Sequence, residues 1–187
     1  INKNDKGESS YHYNPPSVSE EQARESLKNA SSADRMALDL IKKREGFIQQ
    51  PKWDVNHLRV GYGSDTITTA DGTVREVVPG MQVSREDAER DLLRRIPEFQ
   101  RKGIIQYVGQ DAWDRLNPQT KAALTSLAYN YGGIGNLSSL QNAIKSGNKN
   151  AIADAVASYS SHNGGVNASR RMEESRMIQS SSDVSTD

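Results

Sequence analysis

The chain has 187 residues, 24 basic and 24 acidic side chains and no cysteine. This length suits one domain with polar ends, the zero net charge argues against a globally basic nucleic-acid binder, and the lack of cysteine excludes disulfides and thiolate metal sites. Hydrophobic residues make up 34% of the chain, and no stretch reaches the roughly 18 apolar residues that a membrane span needs. We therefore expect no stable membrane insertion.

Both ends of the chain are polar. Residues 1–32 are rich in Asn, Ser, Lys and Glu, so this segment has too little apolar surface to offset the entropy lost on ordering. We predict a linker or leader there, disordered or with a short helix, and a polar tail over 180–187. The folded domain is then 33–179. Because the first residue is Ile1, we expect a processed part of a longer polypeptide.

The first predicted element of the domain is a helix from about Asp34 to Gly46. Apolar residues recur at helical spacing within it, Ser32 or Asp34 can cap its start, and Gly46 can end it. A small antiparallel sheet is predicted next. Its signals are β-branched and aromatic residues over Leu58–Gly63 and the hairpin turn Asp71–Gly72.

From Ser84 onward the pattern is helical. Ser84 can cap a helix whose first turn is acidic, and Asn117 followed by Pro118 is a typical helix start, with Gly132 as the stop. Shorter helices are predicted at 137–145, 151–158 and 168–178. This order predicts an α+β fold with an N-terminal helix, a small antiparallel β-sheet and then a mostly helical bundle.

Two carboxylates, Glu45 and Asp54, are the chemically suggestive groups. Glu45 ends the first predicted helix, where the negative end of the helix dipole favours the protonated acid, and a protonated carboxyl can donate to a leaving oxygen. Asp54 lies in a segment that we interpret as a wet loop, where it stays ionised. Hydrolysis of a glycosidic bond requires two carboxyls in such contrasting environments. The alternative is an ordinary helix-end acid and a turn residue.

Other chemistry is less well supported. The three histidines, His12, His57 and His162, have no metal-ligand spacing, so we expect no metal and no cofactor. Gly61 and Gly63 lack the third glycine of a dinucleotide fingerprint. We expect no nucleic-acid partner, because the arginine pairs are interspersed with acids and the aromatic content is only 6%.

Four segments in order resemble the phage-type lysozymes, the endolysin muramidases of glycoside hydrolase family 24. They are Ile41–Phe47 with Asp54 nine positions after Glu45, Val60–Gly63, Asn117–Gly132 and Gly165–Glu174. The resemblance covers nearly all of 33–179. It implies a lysozyme-like fold and a peptidoglycan muramidase that cuts the β-1,4 bond between N-acetylmuramic acid and N-acetylglucosamine.

By position, the resemblance implies Glu45 as the general acid and Asp54 as the second carboxylate. Arg170 matches the arginine that pairs with the catalytic glutamate in the family. Tyr129 and Asn130 fall where the family contacts sugar. Tyr129 can instead be a core residue, and Asn130 can be the C-terminal cap of a helix.

One position departs from the family pattern. Two residues before the first glycine the family usually has threonine, whereas this chain has Arg59, and the preceding loop is one residue shorter. Period-two alternation places Arg59 and Asp65 on one face, so we expect Arg59 to pair with Asp54 or Asp65. Ser64 or Thr66 is a candidate to supply the missing hydroxyl.

The resemblance also implies a place of action. It is the periplasm or the bacterial cell wall, reached by a virion-associated or exported enzyme. The polar leader separately suggests excision from a larger phage or envelope polypeptide. The alternative function is a lysozyme-fold module that has lost catalysis at Arg59 and binds the cell wall or a partner protein. New reducing ends formed from purified peptidoglycan separate the two.

Overall fold

The computed structural model describes residues 2–3, 9–10, 30–54 and 57–182. Strands β1 (Asn2–Lys3) and β2 (Ser9–Ser10) form a short antiparallel pair within the predicted polar leader. The rest of 1–29 and the residues after 182 lie outside the described chain. The leader and tail boundaries therefore stay predictions.

The chain divides into two compact units. The sheet unit comprises Ile1–Ala30 and Glu45–Arg95, and the helical unit comprises Ser31–Arg44 and Ile96–Asp187. Each unit is described by its own contacts. Among the described helices, none is both long and apolar enough to cross a membrane.

Helix α1 (Ser32–Glu45) opens the folded chain, close to its predicted bounds. The Asp34 backbone N–H donates to the Ser31 hydroxyl oxygen at 3.2 Å. Ser31 is therefore the N-cap, and it precedes both predicted caps, Ser32 and Asp34. Ala37 and Ile41 are fully buried on the helix face that packs into the helical unit.

Four strands form two antiparallel pairs in the sheet unit. Strand β3 (Ile48–Asp54) pairs with β4 (His57–Gly61), and β5 (Thr66–Thr68) pairs with β6 (Val74–Glu76). The predicted Asp71–Gly72 turn joins β5 to β6. The small antiparallel sheet expected from the sequence is thereby confirmed.

Strand β3 differs from the wet loop predicted around Asp54. Its pairing register shifts between Ile48 and Lys52, and Pro51 lies within the shift, where its missing N–H removes no regular ladder hydrogen bond. All its side chains are exposed or only half-buried. The segment therefore lacks the alternating pattern by which a strand is recognised.

Helix α2 (Arg85–Gln100) packs against the strands of the sheet unit. Its start is capped as predicted, because the Asp87 backbone N–H donates to the Ser84 hydroxyl oxygen at 3.1 Å. The buried apolar side chains of this unit come from the strands, from the residues that follow β4 and β6, and from one face of the helix. They are Leu58, Val60, Tyr62, Ile67, Val77, Val83, Ala88, Leu92 and Leu93.

The helical unit contains the remaining helices. After a π-helical turn (Arg101–Ile105) they are α3 (Gln106–Val108), α4 (Gln110–Asp114), α5 (Pro118–Tyr131), α6 (Ser138–Ser146), α7 (Lys149–Ser158), a 3-10 segment (Tyr159–Gly165) and α8 (Ala168–Gln179). The three shorter helices predicted from the sequence match α6, α7 and α8 to within two residues at each end. The α+β fold class is confirmed.

Helix α5 is the centre of the helical unit. The Asn117 side chain accepts from the Thr120 backbone N–H at 2.8 Å, which is the predicted cap, and Gly132 ends the helix with φ +76°. Leu124 and Leu127 have no exposed surface and belong to an apolar core shared with α6, α7 and α8.

Helices α1 and α8 are joined by charged side chains. The Lys43 ammonium lies 2.5 Å from one Glu173 carboxylate oxygen, and Arg44 lies 3.3 Å from the other. Arg44 also donates to the Ser169 hydroxyl at 3.2 Å. The hydrogen bond from Lys43 lowers the pKa of Glu173, and Arg44 adds to this effect.

Candidate active site

Glu45 is the last residue of α1, and its side chain is exposed. The chain turns at Gly46, and Phe47 then packs on Tyr62 with ring centroids 5.6 Å apart. The Arg85 guanidinium lies 4.4 Å from the centroid of the Phe47 ring. These contacts fix the residues that follow Glu45 against the turn containing Tyr62, and they leave the carboxyl accessible to a large substrate.

Asp54 is also exposed, and it lies at the end of β3 opposite His57. At the other end of the strand pair Ile48 lies opposite Gly61. At about 3.3 Å per residue, the two ends are roughly 13 Å apart along β4. Asp54 is therefore solvated, as predicted, and sits at the far end of the hairpin from the turn that follows Glu45.

The run Gly61–Tyr62–Gly63 forms a tight turn after β4. The Val60 N–H donates to the Ser64 carbonyl at 2.8 Å, and the Ser64 N–H donates back at 3.0 Å. Gly61 has φ +63°, and a Cβ there would lie 2.7 Å from the Ala88 Cβ. Glycine is required both for this backbone conformation and for the close approach to α2.

Because this turn pairs Val60 with Ser64, Arg59 and Asp65 are the next residues on either side of it. An Arg59 guanidinium nitrogen lies 3.8 Å from Asp65 Oδ2, and their side chains are 25% and 10% exposed. Asp65 is thus the partner that the structure gives to Arg59. Its other oxygen, Oδ1, is buried and accepts no hydrogen bond from the described residues.

A buried polar group that we name the Asp91 cluster consists of Asp91, Arg94, Ser64, Thr66 and Thr68. The Asp91 carboxylate accepts hydrogen bonds from the Ser64, Thr66 and Thr68 hydroxyls at 2.6, 2.9 and 2.9 Å. It also accepts one from Arg94 at 3.2 Å. The Thr66 hydroxyl is satisfied inside this cluster, which favours a supporting role for Thr66 over the holding of a water.

Sequence reasoning missed the acidic and basic members of the Asp91 cluster. Asp91 and Arg94 are three residues apart in α2, and they lie among the apolar positions that define the buried face of the helix. A charged pair at this spacing on an apolar face is the signal that was available.

In the helical unit Arg170 is buried. Its Nη2 donates to the Ser126 carbonyl oxygen at 3.0 Å, and its Nε lies 3.4 Å from Glu174 Oε1. The pairing of Arg170 with Glu45 stays a prediction. The resemblance covers Gly165–Glu174, and within this segment Glu174 lies against both Arg170 and Arg171.

We name Glu174, Arg170, Arg171, Ser126 and Asn130 the Glu174 cluster. Arg171 donates to both Glu174 oxygens, at 2.7 and 2.6 Å, and the Ser126 hydroxyl donates to one of them at 2.9 Å. Burial raises the pKa of Glu174, and the hydrogen bonds from Arg171 oppose that rise. The remaining Arg171 nitrogen donates to the Asn130 side-chain oxygen at 3.1 Å.

Tyr129 and Asn130 lie near the C-terminal end of α5, and both are half-buried. Tyr129 contacts Phe99 edge to face, with ring centroids 5.0 Å apart. Since the Asn130 oxygen is held by Arg171, its amide nitrogen is the group with hydrogen-bond donors left for a ligand. The neighbouring Tyr131 is partly exposed, and its hydroxyl lies 3.0 Å from His162 Nδ1.

Two other features bear on ligand chemistry. Within the described part of the chain, no group of three or more His, Asp or Glu side chains is placed to hold a metal ion. A cavity of about 400 Å³ in the helical unit is lined by residues of the starts of α5 and α7, among them Arg115, Asn117, Thr120 and Lys149. It contains none of the predicted site residues.

The chain is similar to known proteins in sequence and in fold. A family model described as phage lysozyme matches residues 42–174, which include Glu45, Asp54 and Arg170. No curated protein matches the chain.

Two solved structures share the fold. A crystal structure of a P22 lysozyme mutant has 22% identity and a TM-score of 0.60, and the match covers 77% of this chain and 95% of that chain. The active form of the P1 phage endolysin Lyz has 19% identity and a TM-score of 0.61, and the match covers 86% of this chain and 93% of that chain. At these identities the likeness is one of fold.

Proposed function

Because the chain belongs to the phage lysozyme family, we propose that it is a muramidase that hydrolyses the β-1,4 bond between N-acetylmuramic acid and N-acetylglucosamine. At the level of the family it is a lysozyme, a glycoside hydrolase that degrades peptidoglycan. The observation that carries the proposal is the family match over 42–174, since it spans both carboxylates proposed for catalysis.

Glu45 acts as the general acid in this proposal. It is exposed at the C-terminal end of α1, and it can give its proton to the leaving glycosidic oxygen. Asp54 is the second carboxylate. Exposed at the end of β3, it stabilises the positive charge that develops on the sugar ring.

The other site residues have supporting or binding roles. Arg170 positions or neutralises groups near the acid, and Arg59, Asp65 and Thr66 support the carboxylate side of the site. Tyr129 and Asn130 bind saccharide. An aromatic face suits the C–H surface of a sugar ring, and an amide with spare donors suits its hydroxyls.

The deciding experiment is Glu45→Gln. General acid catalysis contributes about 10²–10⁴ in rate, so we expect the release of reducing ends from purified peptidoglycan to fall by at least about 100-fold. The fold should persist, because Gln has the shape of Glu and the position is exposed. Glu86→Gln, an exposed glutamate in the first turn of α2, is the matched control and should keep parental activity. Normal activity in Glu45→Gln contradicts the proposal.

The replacement of the family threonine by Arg59 favours the second candidate, a module that binds the cell wall without cutting it. In that case the parent protein sediments with peptidoglycan and releases no reducing ends. Reducing ends from the parent exclude this candidate.

We further propose that the protein acts at the cell wall or in the periplasm, where its substrate lies. Virion association or export would bring it there, as part of a larger phage or envelope polypeptide. Its partner in this proposal is peptidoglycan.

A further inference from the structure

The pair formed by Arg59 and Asp65 has polar atoms that the described residues leave unused. Asp65 is 8% exposed, and its Oδ1 atom is buried without a hydrogen-bond donor. Among the described residues, the polar contact of the Arg59 guanidinium is its 3.8 Å approach to Asp65 Oδ2. A buried carboxylate oxygen without a donor is unfavourable, so a further polar group is expected between the two side chains.

The chemistry of the pair limits what that group is. It must donate to a carboxylate oxygen and accept from a guanidinium, and a hydroxyl does both. Because Asp65 is only 8% exposed, a small molecule reaches its carboxylate most readily. Water fits, since a bound water needs two to four polar partners.

We propose that Arg59 and Asp65 together hold the water that attacks the sugar, an inference that rests on the proposed function. Glu45 gives its proton to the glycosidic oxygen as the bond from that oxygen to the anomeric carbon breaks. The water oxygen forms the new bond to the anomeric carbon, and Asp65 takes the water proton. Solvent then returns a proton to Glu45 and removes one from Asp65. The role of Asp54 is then to stabilise the positive charge that develops on the sugar ring.

The backbone around Asp65 is held in a way that suits this role. Its carbonyl accepts from the Val77 N–H at 2.9 Å. Its two neighbours, Ser64 and Thr66, are both bonded to Asp91. A carboxylate fixed on both sides keeps its geometry as charge develops, which is what preorganised catalysis requires.

The burial of the pair also distinguishes it from Asp54. Arg59 is the central residue of β4, opposite Lys52, and its partner Asp65 is 8% exposed. Asp54 lies at the end of β3 opposite His57, is exposed, and has no unsatisfied buried oxygen. Of the two aspartates, Asp65 is the one whose environment calls for a bound water.

The test is the rate of reducing-end release by Asp65→Asn, with and without sodium azide. We expect turnover to fall by about 10²–10⁴, as for loss of a general base, with sedimentation on peptidoglycan unchanged. Azide is a nucleophile that needs no base, so it should partly restore cleavage in Asp65→Asn and yield a glycosyl azide detectable by mass spectrometry. Neither Asp54→Asn nor Glu45→Gln should be restored in this way.

Two controls separate catalysis from folding. Asp87→Asn changes a carboxylate of the same unit that contacts Arg90, and it should keep parental activity. If Asp65→Asn fails to fold, Arg59→Gln tests the other half of the pair, because Arg59 is more exposed. Loss of one preorganised donor should lower its turnover by about 10²–10³ with wall binding intact.

The outcomes distinguish this inference from the proposed function. Parental turnover in Asp65→Asn, or a loss of wall binding as large as the loss of rate, overturns the water-holding role while Glu45→Gln still decides the function. Failure of azide to restore Asp65→Asn also overturns it. An inactive parent, or a fully active Glu45→Gln, overturns both proposals.

Discussion

Each unit of the molecule buries a carboxylate, and the two are satisfied by different groups. In the Asp91 cluster three hydroxyls from the sheet supply most of the donors, together with one arginine. In the Glu174 cluster two arginines from the same helix dominate, with one serine from α5. Hydroxyl donors connect strand to helix, whereas the Arg171 guanidinium also donates to the Asn130 side-chain oxygen outside the carboxylate.

This difference suggests different tasks. In the sheet unit the hydroxyls of Ser64, Thr66 and Thr68 connect β5 and the residues just before it to α2. The helical unit has a continuous apolar core around α5, and its cluster orients Arg171 towards Asn130. We therefore expect substitutions in the Asp91 cluster to act mainly on stability, and those in the Glu174 cluster to act on the end of α5 that we propose binds saccharide.

The largest effect is expected for Asp91→Ala. Removing the carboxylate leaves the buried Arg94 without its charge partner, and breaking a buried pair in this way costs about 3–5 kcal/mol. Denaturant unfolding measures this loss. Asp87→Ala, at a partly exposed ion pair on the same helix, is the control and should cost less than about 1 kcal/mol. Equal losses in the two variants would remove the special role given to the Asp91 cluster.

The turn beside that cluster provides the next test. Gly61→Ala forces an alanine into positive φ, about 1–2 kcal/mol, and drives its Cβ against Ala88, about 1–3 kcal/mol more. Gly46→Ala has a similar φ of +69° with no atom within 4 Å of the added Cβ, so it should show the backbone part alone. Thermal and denaturant unfolding measure the loss of stability in each variant. If the two losses are equal, the contact between the added Cβ and Ala88 in α2 contributes nothing to the loss in Gly61→Ala.

For the Glu174 cluster we expect a smaller loss and a change in pH dependence. In Glu174→Gln an amide N–H₂ faces Arg171, which costs about 1–3 kcal/mol at pH near 4. Burial raises the pKa of Glu174, so above its ordinary value of 4.5 the folded protein binds more protons than the unfolded chain. The free energy of unfolding of the parent then falls as the pH rises, so the difference in this free energy between the parent and Glu174→Gln becomes smaller. Denaturant unfolding at several pH values measures this difference, and a difference that grows with pH contradicts the prediction.

The smallest effect concerns Asp71 in the exposed turn between β5 and β6. Hydrogen bonds from the Thr69 hydroxyl and the Thr73 backbone N–H hold the pKa of Asp71 well below its usual range. Because the pKa of Asp71 is lower in the folded protein than in the unfolded chain, its carboxylate stabilises the fold above the unfolded pKa of 3.8. This stabilisation is lost as the pH falls below that value. Asp71→Asn should therefore show a slightly shallower loss of stability between about pH 4 and pH 2. Superimposable acid titrations would refute this.

How far the sequence predicts the fold depends on whether local signals carry it. Helix α5 was predictable because Asn117 caps it, Gly132 stops it and apolar residues follow helical spacing between them. Strand β3 was not, because its pairing passes through a register shift at Pro51 and its side chains do not alternate in burial. Such a strand is defined by its hydrogen bonds to the neighbouring strand, and the residues of the strand itself give no signal of that pairing.

The candidate site divides in the same way. Period-two alternation limits the predicted partner of Arg59 to Asp54 or Asp65, and the structure selects Asp65. The Asp91 cluster depends on three hydroxyls whose side chains meet α2 more than twenty residues later in the chain. That convergence is a tertiary property, and only coordinates reveal it.

The ion pairs that Lys43 and Arg44 form with Glu173 join two helices that are far apart in the sequence, which matters during synthesis of the chain. Lys43 and Glu173 are 130 residues apart, and at about 5–20 residues per second a ribosome needs roughly 7–26 seconds to synthesise the stretch between them. Throughout that interval Lys43 and Arg44 have no Glu173 to pair with, so the ion pairs between α1 and α8 cannot form. We therefore expect α1 to be joined to α8 only after most of the chain has been synthesised.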